Sequence, residues 1–174
     1  MRTFKRVQGM QAIARQEGAI VGKLDDFLFE LTTGAISGWR VKTGAVFSKG
    51  GGVAAADLEL LGRDVALIRA ESAIEWAGSG RPKAVDGRAW ASAYLGTGSL
   101  TRGGQALAEV RDLVVDDVGS RLFGLILADG RLLPLGAQVQ LGPAAVIVEN
   151  EAVPVTLPED EDAWWEAIRT ALAR

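Results

Sequence analysis

Two stretches of this chain, residues 20 to 44 (IVGKLDDFLFELTTGAISGWRVKTG) and residues 106 to 130 (ALAEVRDLVVDDVGSRLFGLILADG), align along their whole length without a gap. Identities are few, but Asp26 falls on Asp112, Gly38 on Gly124 and Gly44 on Gly130. Apolar character stays in register at Leu24/Val110, Phe27/Leu113, Leu28/Val114, Phe29/Val115, Ile36/Leu122 and Val41/Leu127. Turn residues and core pattern are kept while the remaining positions diverge, which is the mark of a repeated structural unit. Such a chain must build the same small architecture twice.

The repeat continues if the first copy carries an insertion within Ala45 to Gly52 (AVFSKGGG). Val53 to Ala56 then lie on Leu133 to Gly136, Gly62 on Gly142, and Val65 to Ile68 on Ala145 to Val148. A unit of about 70 residues buries only about 60% of its unfolded surface and is marginal alone. The lobes are therefore expected to pack on each other or on partners.

Composition restricts chemistry more than fold. The chain has 174 residues, 48% of them hydrophobic and 24% charged, with a net charge of −3, which describes a globular chain with ample core material. No apolar run approaches the roughly 20 residues of a membrane-spanning helix, and the N-terminal residues lack the apolar region of a signal peptide, so a cytoplasmic location is expected. Cysteine and histidine are both absent. That removes thiolate nucleophiles, Ser-His-Asp triads, imidazole bases and Cys- or His-ligated metals. Carboxylate-only catalysis and magnesium held by aspartates stay open in principle.

Each copy reads as mostly strand. In the first, Met10 to Arg15 leads through a turn at Gln16-Glu17-Gly18 to a longer strand over 21–30. A loop at Leu31-Thr32-Thr33-Gly34 precedes a strand over 36–42, which Thr43-Gly44 ends. In the second copy Asp129-Gly130 closes the equivalent strand, a strong hairpin signal because glycine tolerates positive φ. A short strand near Val53, a helical turn over 56–60 and a reversal at 61–64 lead to a strand over 65–70. Short strands between Gly and Asp turns argue for small barrels.

The order of these pieces resembles the PRC-barrel domains of the reaction-centre H subunit and of ribosome maturation factors. The resemblance is carried by a small-residue turn, a strand ending GKLDDFLF or AEVRDLVV, an acidic and glycine turn, and a strand at Ile36 to Lys42 or Leu122 to Ala128. A segment LPLGAQV then precedes GPAAVIV. Copy two carries this last part, whereas copy one has Ala54 where Pro134 stands and bears the Ser48 to Gly52 insertion. The resemblance covers most of residues 8–76 and 96–155. It implies compact β-barrels used as docking surfaces, with no reaction common to the family and no catalytic residues to transfer.

Several local features invite sharper readings. Lys49 before Gly50-Gly51-Gly52 has the wrong order for a phosphate loop, which places lysine and a hydroxyl after the glycines, so a flexible hairpin tip is expected there. Asp25, Asp26, Asp112, Asp116 and Asp117 could suggest a cation site, but Asp26 and Asp112 share one repeat position, which points to a backbone-capping role. Trp90 and Tyr94 are spaced to share one face of a short helix, and packing is preferred over ligand stacking. Residues up to Trp76 hold ten basic and nine acidic side chains and the rest nine and thirteen, so neither half has the basic surface of a nucleic-acid binder.

Pro158-Glu159-Asp160-Glu161-Asp162 followed by AWWEAIRTALAR pairs an acidic first turn with a basic end, which predicts an amphipathic helix over 158–174. Trp164, Trp165, Ile168 and Leu172 on its apolar stripe are the candidate protein-binding residues, because clustered Trp side chains serve as interface anchors; the alternative is that they pack on the chain's own barrel or close a homodimer. The expected architecture is mainly β: two PRC-barrel-like lobes, 1–76 and 96–157, joined by a linker over 77–95 with a possible short helix, plus the C-terminal helix. The expected function is a non-enzymatic binding or scaffold protein with a protein partner or a homo-oligomer. An RNA or ribosome-associated accessory factor is the alternative, and a carboxylate-only enzyme the weaker one. No catalytic residue, cofactor or metal is expected.

Overall fold

The structure is a computed structural model that describes residues 1–44, 49–77, 83–150, 153–158, 163, 164, 166 and 170. Its first half comprises β1 (Arg2–Thr3), α1 (Phe4–Val7), β2 (Gln11–Ala14), β3 (Ala19–Glu30), β4 (Ile36–Lys42), β5 (Gly50–Ala54), β6 (Leu58–Leu61), β7 (Val65–Ile68) and β8 (Ile74–Ala77). The second comprises β9 (Arg88–Trp90), α2 (Ala91–Tyr94), β10 (Gly98–Thr101), β11 (Val110–Val115), β12 (Leu122–Leu127), β13 (Arg131–Pro134), β14 (Val139–Leu141), β15 (Ala145–Val148) and β16 (Val155–Thr156). The predominance of strand agrees with the sequence reading. The helical turn expected over 56–60 is a 3-10 turn at Ala55–Asp57, after which the chain is already extended.

The two aligned stretches adopt the same pairing residue for residue. In β3 and β4, Leu24 pairs with Val41, Asp26 with Arg40, Phe27 with Trp39 and Leu28 with Gly38, with register shifts on both sides. In β11 and β12, Val110 pairs with Leu127, Asp112 with Ile126, Leu113 with Leu125 and Val114 with Gly124, and the shifts recur at equivalent steps. Gly38 then faces Ala54 and Gly124 faces Pro134, the match that the inserted residues imply. Both glycines are demanded by a close approach: a Cβ on Gly38 would lie 3.0 Å from the Val53 carbonyl oxygen, and one on Gly124 3.2 Å from that of Leu133.

The sheets do not close into barrels. An eight-stranded sheet of the first half runs β6-β7-β2-β3-β4-β5-β8, with β9 added beside β3, while the second half divides into β1-β11-β12-β13-β16 and β10-β15-β14. In the first half a 3-10 turn at Ala55–Asp57 carries the chain from β5 to β6. Parallel pairs β2–β7 and β10–β15 bring the start and end of each unit together instead.

The Gly50 to Gly52 run, expected as a flexible tip, is strand β5 between β4 and β8. The Arg40 guanidinium lies over Gly50, 2.8 Å from where a Cβ would stand, and the Trp76 ring lies 2.9 Å from a Cβ on Gly51. At Gly50 and Gly51 the lack of a side chain makes room for what packs on the strand, while Gly52 faces open space.

Neither half is self-contained. Thr3 pairs with Val114 of β11, so the N-terminal strand belongs to the second half, while Trp90 pairs with Leu28 of β3, so β9 belongs to the first. The helical turn after each strand follows it across: the Lys5 N–H donates to Asp112 Oδ1 at 3.2 Å, and the Ser92 N–H to Asp26 Oδ1 at 3.1 Å. Between the halves, Ala35 bridges Arg121, the Ile36 N–H donates to the Ser120 carbonyl, and the Leu122 N–H to the Gly34 carbonyl. These are contacts between equivalent positions, the pattern a two-fold axis generates. A single buried core runs through both halves, from Phe4 and Phe27 to Leu125 and Val148.

Asp26, 1% exposed, accepts from the Phe27 N–H at 2.9 Å, the Ser92 N–H at 3.1 Å and the Ser92 hydroxyl at 2.6 Å. This confirms a backbone-capping role. Asp26→Ala is expected to cost about 1–3 kcal/mol for each buried donor it strands. Urea denaturation checks this, and a loss below about 1 kcal/mol would remove Asp26 from the joint between the halves.

Candidate functional site

Two equivalent clefts lie where the halves meet, and they are filled differently. On one side Trp39 of β4, 1% exposed, extends its indole to the other half and donates Nε1–H to the Gly119 carbonyl at 2.8 Å. Gly119 has φ +66° and touches this indole so closely that a Cβ would lie 3.0 Å from Nε1. The edge of β6 is joined to the same loop, with the Leu61 N–H donating to the Asp117 carbonyl at 2.9 Å. This cleft is sealed.

On the other side the position equivalent to Trp39 is Leu125, and the bond equivalent to Leu61–Asp117 would run from Leu141 to Leu31. That bond is not among those made. A recess of about 370 Å³ lies there instead, lined by the loop Leu31 to Gly34, by Arg121, by Leu135 to Ala137, and by Val139 and Leu141 of β14. Its floor is apolar and its rim carries one guanidinium. Arg121 is exposed and its side chain makes no ion pair among the described residues. Thr33 is occupied locally, its hydroxyl accepting from the Ala35 N–H and donating to Glu30.

A second cavity, of about 410 Å³, lies on the outer face of the second half and is lined by Thr3, Lys5, Arg6, Arg111, Asp112, Ile126 and Trp164. Here the outer face is apolar: Val114, Ile126 and Leu132 form a small cluster covered by Met1, Val155, Leu157 and Trp164. The matching face of the first half is polar, with Arg40 at the position of Ile126. Arg40 is 4% exposed and its guanidinium meets Asp25 at 2.5 Å, while the Lys42 ammonium reaches the same carboxylate at 2.9 Å.

Trp164, predicted as an interface anchor, sits half-buried against its own sheet and donates its indole N–H to the Pro158 carbonyl at 2.6 Å. Trp165, Ile168 and Leu172, and most of the helix expected over 158–174, lie outside the described residues. Tyr94 packs edge-on to Phe29 with centroids 5.3 Å apart and donates to the Gly142 carbonyl, so it serves the core, whereas Trp90, expected on the same helix face, ends strand β9 before the helix begins and is only half-buried. Burial pushes its hydroxyl up to about 12, which keeps it a neutral donor. The recess itself had no motif; only the size difference between Trp39 and Leu125 marks it in the sequence.

No protein-family model matches this chain, and no curated protein shows significant similarity to it. Chemistry must therefore be read from the residues. Among the described residues, no group of three or more carboxylates converges to hold a metal. No described helix is long and apolar enough to cross a membrane. What the geometry offers is shape, a strand edge and charge.

Asp112 is set apart by its surroundings. Burial pushes its carboxyl above the ordinary range, against hydrogen bonds from the Leu113 and Lys5 N–H groups and the Thr3 hydroxyl and the charge of Lys5. A raised folded-state value means that Asp112 favours the folded chain fully below its unfolded value near 3.9, and that this is lost as pH rises through the folded value. Relative to Asp112→Asn, the native chain is expected to lose stability as pH rises above about 4. Paired urea titrations from pH 3 to 7 check the sign, and a constant difference would contradict it.

Proposed function

We propose that this chain is a non-enzymatic binding or scaffold protein of the cytoplasm, built from two PRC-barrel-like lobes, that mediates protein–protein assembly. One observation carries this reading: of two equivalent clefts, one is sealed by Trp39 and the Leu61–Asp117 bond and the other is left open. A framework able to seal one cleft could seal both, so the open one is where a partner supplies the missing atoms. The open cleft combines apolar surface, a strand edge and one cation, which suits polypeptide.

The PRC-barrel-like reading is supported by the repeated order and register of the strands and by the use of barrels as docking surfaces in the family this chain resembles. The open sheets do not weaken the surface argument, because a single core already holds both halves rigid. The alternative RNA-associated role would draw on Lys5, Arg6 and Arg111.

Affinity purification of the tagged full chain after nuclease treatment is expected to yield a protein partner whose complex re-forms from the two purified components. Loss of the partner on nuclease treatment, with steep salt dependence in an RNA titration, would favour the RNA-associated role. Turnover of a substrate that a single Asp or Glu substitution abolishes without unfolding would sink the non-enzymatic reading.

A further inference from the structure

The phase of the β14–β15 ladder shows which groups the open cleft presents. Gly142 N–H donates to the Ala145 carbonyl at 3.0 Å and Glu149 N–H to the Gln138 carbonyl at 2.9 Å. Antiparallel pairs alternate, so the N–H groups of Val139 and Leu141 turn away from β15. Val139 N–H is taken by the Gly136 carbonyl at 3.0 Å, whereas Leu141, which lines the recess, has no backbone acceptor for its N–H among the described residues. Among the described residues β14 pairs with β15 alone, so no described strand lies along its other edge.

The sealed cleft shows what this position takes. There the equivalent amide, Leu61 N–H, meets a backbone carbonyl of a segment lying along the strand edge, and apolar bulk fills the space behind it. Charge adds a third requirement, since the exposed Arg121 guanidinium lines the rim and makes no ion pair among the described residues, the nearby Asp116 carboxylate bonding the Arg121 backbone N–H at 3.2 Å instead.

We propose that the recess is a peptide-docking groove for an extended, acidic segment of a partner protein. The segment lies along β14 and accepts the Leu141 N–H with a backbone carbonyl. It seats an apolar side chain among Leu31, Leu135 and Leu141, and it pairs a carboxylate with Arg121. Main-chain bonding supplies the alignment and the pocket and cation supply the selectivity, as in strand addition generally. This assignment rests on the protein-binding reading above and names the chemistry of its partner.

Selection of displayed random dodecapeptides on the full chain tests it, followed by fluorescence anisotropy with the best synthetic peptide. Arg121→Glu removes the cation, and Ala137→Trp plugs the recess from an exposed rim position; both should keep the native melting temperature. The expected outcome is a consensus joining an apolar to an acidic residue, with affinity falling about tenfold or more in each variant. Bound peptide should also slow hydrogen exchange at the Leu141 amide. The groove is overturned by no enrichment over a control protein, by a consensus without acidic residues, by unchanged affinity in either variant, or by unaffected exchange at Leu141. Self-association lost in Ala137→Trp would replace the partner with a second copy and overturn it as well. A purified protein partner still held by Ala137→Trp would leave the scaffold reading standing and overturn this site.

Discussion

The carboxylates of Asp26 and Asp112 decide how the two halves of this chain are joined. Each stands at a register shift between its two hairpin strands, where the ladder leaves backbone donors unpaired, and each caps the N–H of the next residue. The remaining acceptor capacity is spent on a helical turn that arrives from the other half, Ser92 on Asp26 and Lys5 on Asp112. A buried carboxylate is costly without such partners. The register shift thus creates the need, the aspartate answers part of it, and the crossing turn completes it. Everything that packs behind those turns, including Phe4, Val7, Ala91 and Tyr94, is placed in the shared core by this arrangement.

Symmetry then becomes the reference against which function can be read. Three pairs of equivalent positions differ in kind: Trp39 against Leu125, Arg40 against Ile126, and Leu61, which is bonded across the interface, against Leu141, which is not. The first and third differences together open one cleft. The second turns the outer face of β12 apolar where that of β4 is charged, and Trp164 with Val155 and Leu157 covers it. In the first half the corresponding space is taken by the Arg40–Asp25–Lys42 group, and the bare backbone of Gly50 makes room for the guanidinium. Among the described residues two of these departures leave open space, the cavity beside Ile126 and Trp164 and the recess beside β14, and only the recess also borders a strand edge.

Much of this was legible in the residues because it is local. Hairpin pairing follows from alternating apolar positions and from the turn residues at 31–34 and 129–130, and the placement of the insertion followed from matching Ala54 to Pro134. The crossing of β1 and β9 was not legible: Thr3 to Val7 and Trp90 to Tyr94 show what they bury, but nothing local says in which half. Gly50 to Gly52 misled for a related reason. A glycine run alone argues for freedom, whereas here Arg40 occupies the space a side chain on Gly50 would need, and Ile74 and Trp76 that of one on Gly51. Barrel closure was inferred from strand count and turn spacing, which do not reveal which strands pair across the sequence. The recess is the least legible feature, since it is a difference between two equivalent places and exists only once both are built.

The sealed cleft also explains why an open one can be tolerated. A free strand edge over an apolar recess is a liability for self-pairing, and folds commonly blunt such edges with charge or short length. Here β14 has only three residues, so few backbone groups are exposed for an unspecific neighbour to pair with, and Arg121 repels a second copy presenting the same cation. Cooperative stability does not depend on closing this edge, because Asp26, Asp112 and the contact between Ala35 and Arg121 already tie the halves together. The two sides of one repeated design thus differ: the sealed side has Leu61 bonded to Asp117 and Ala35 at the position of Arg121, while the open side keeps a strand edge and an exposed guanidinium.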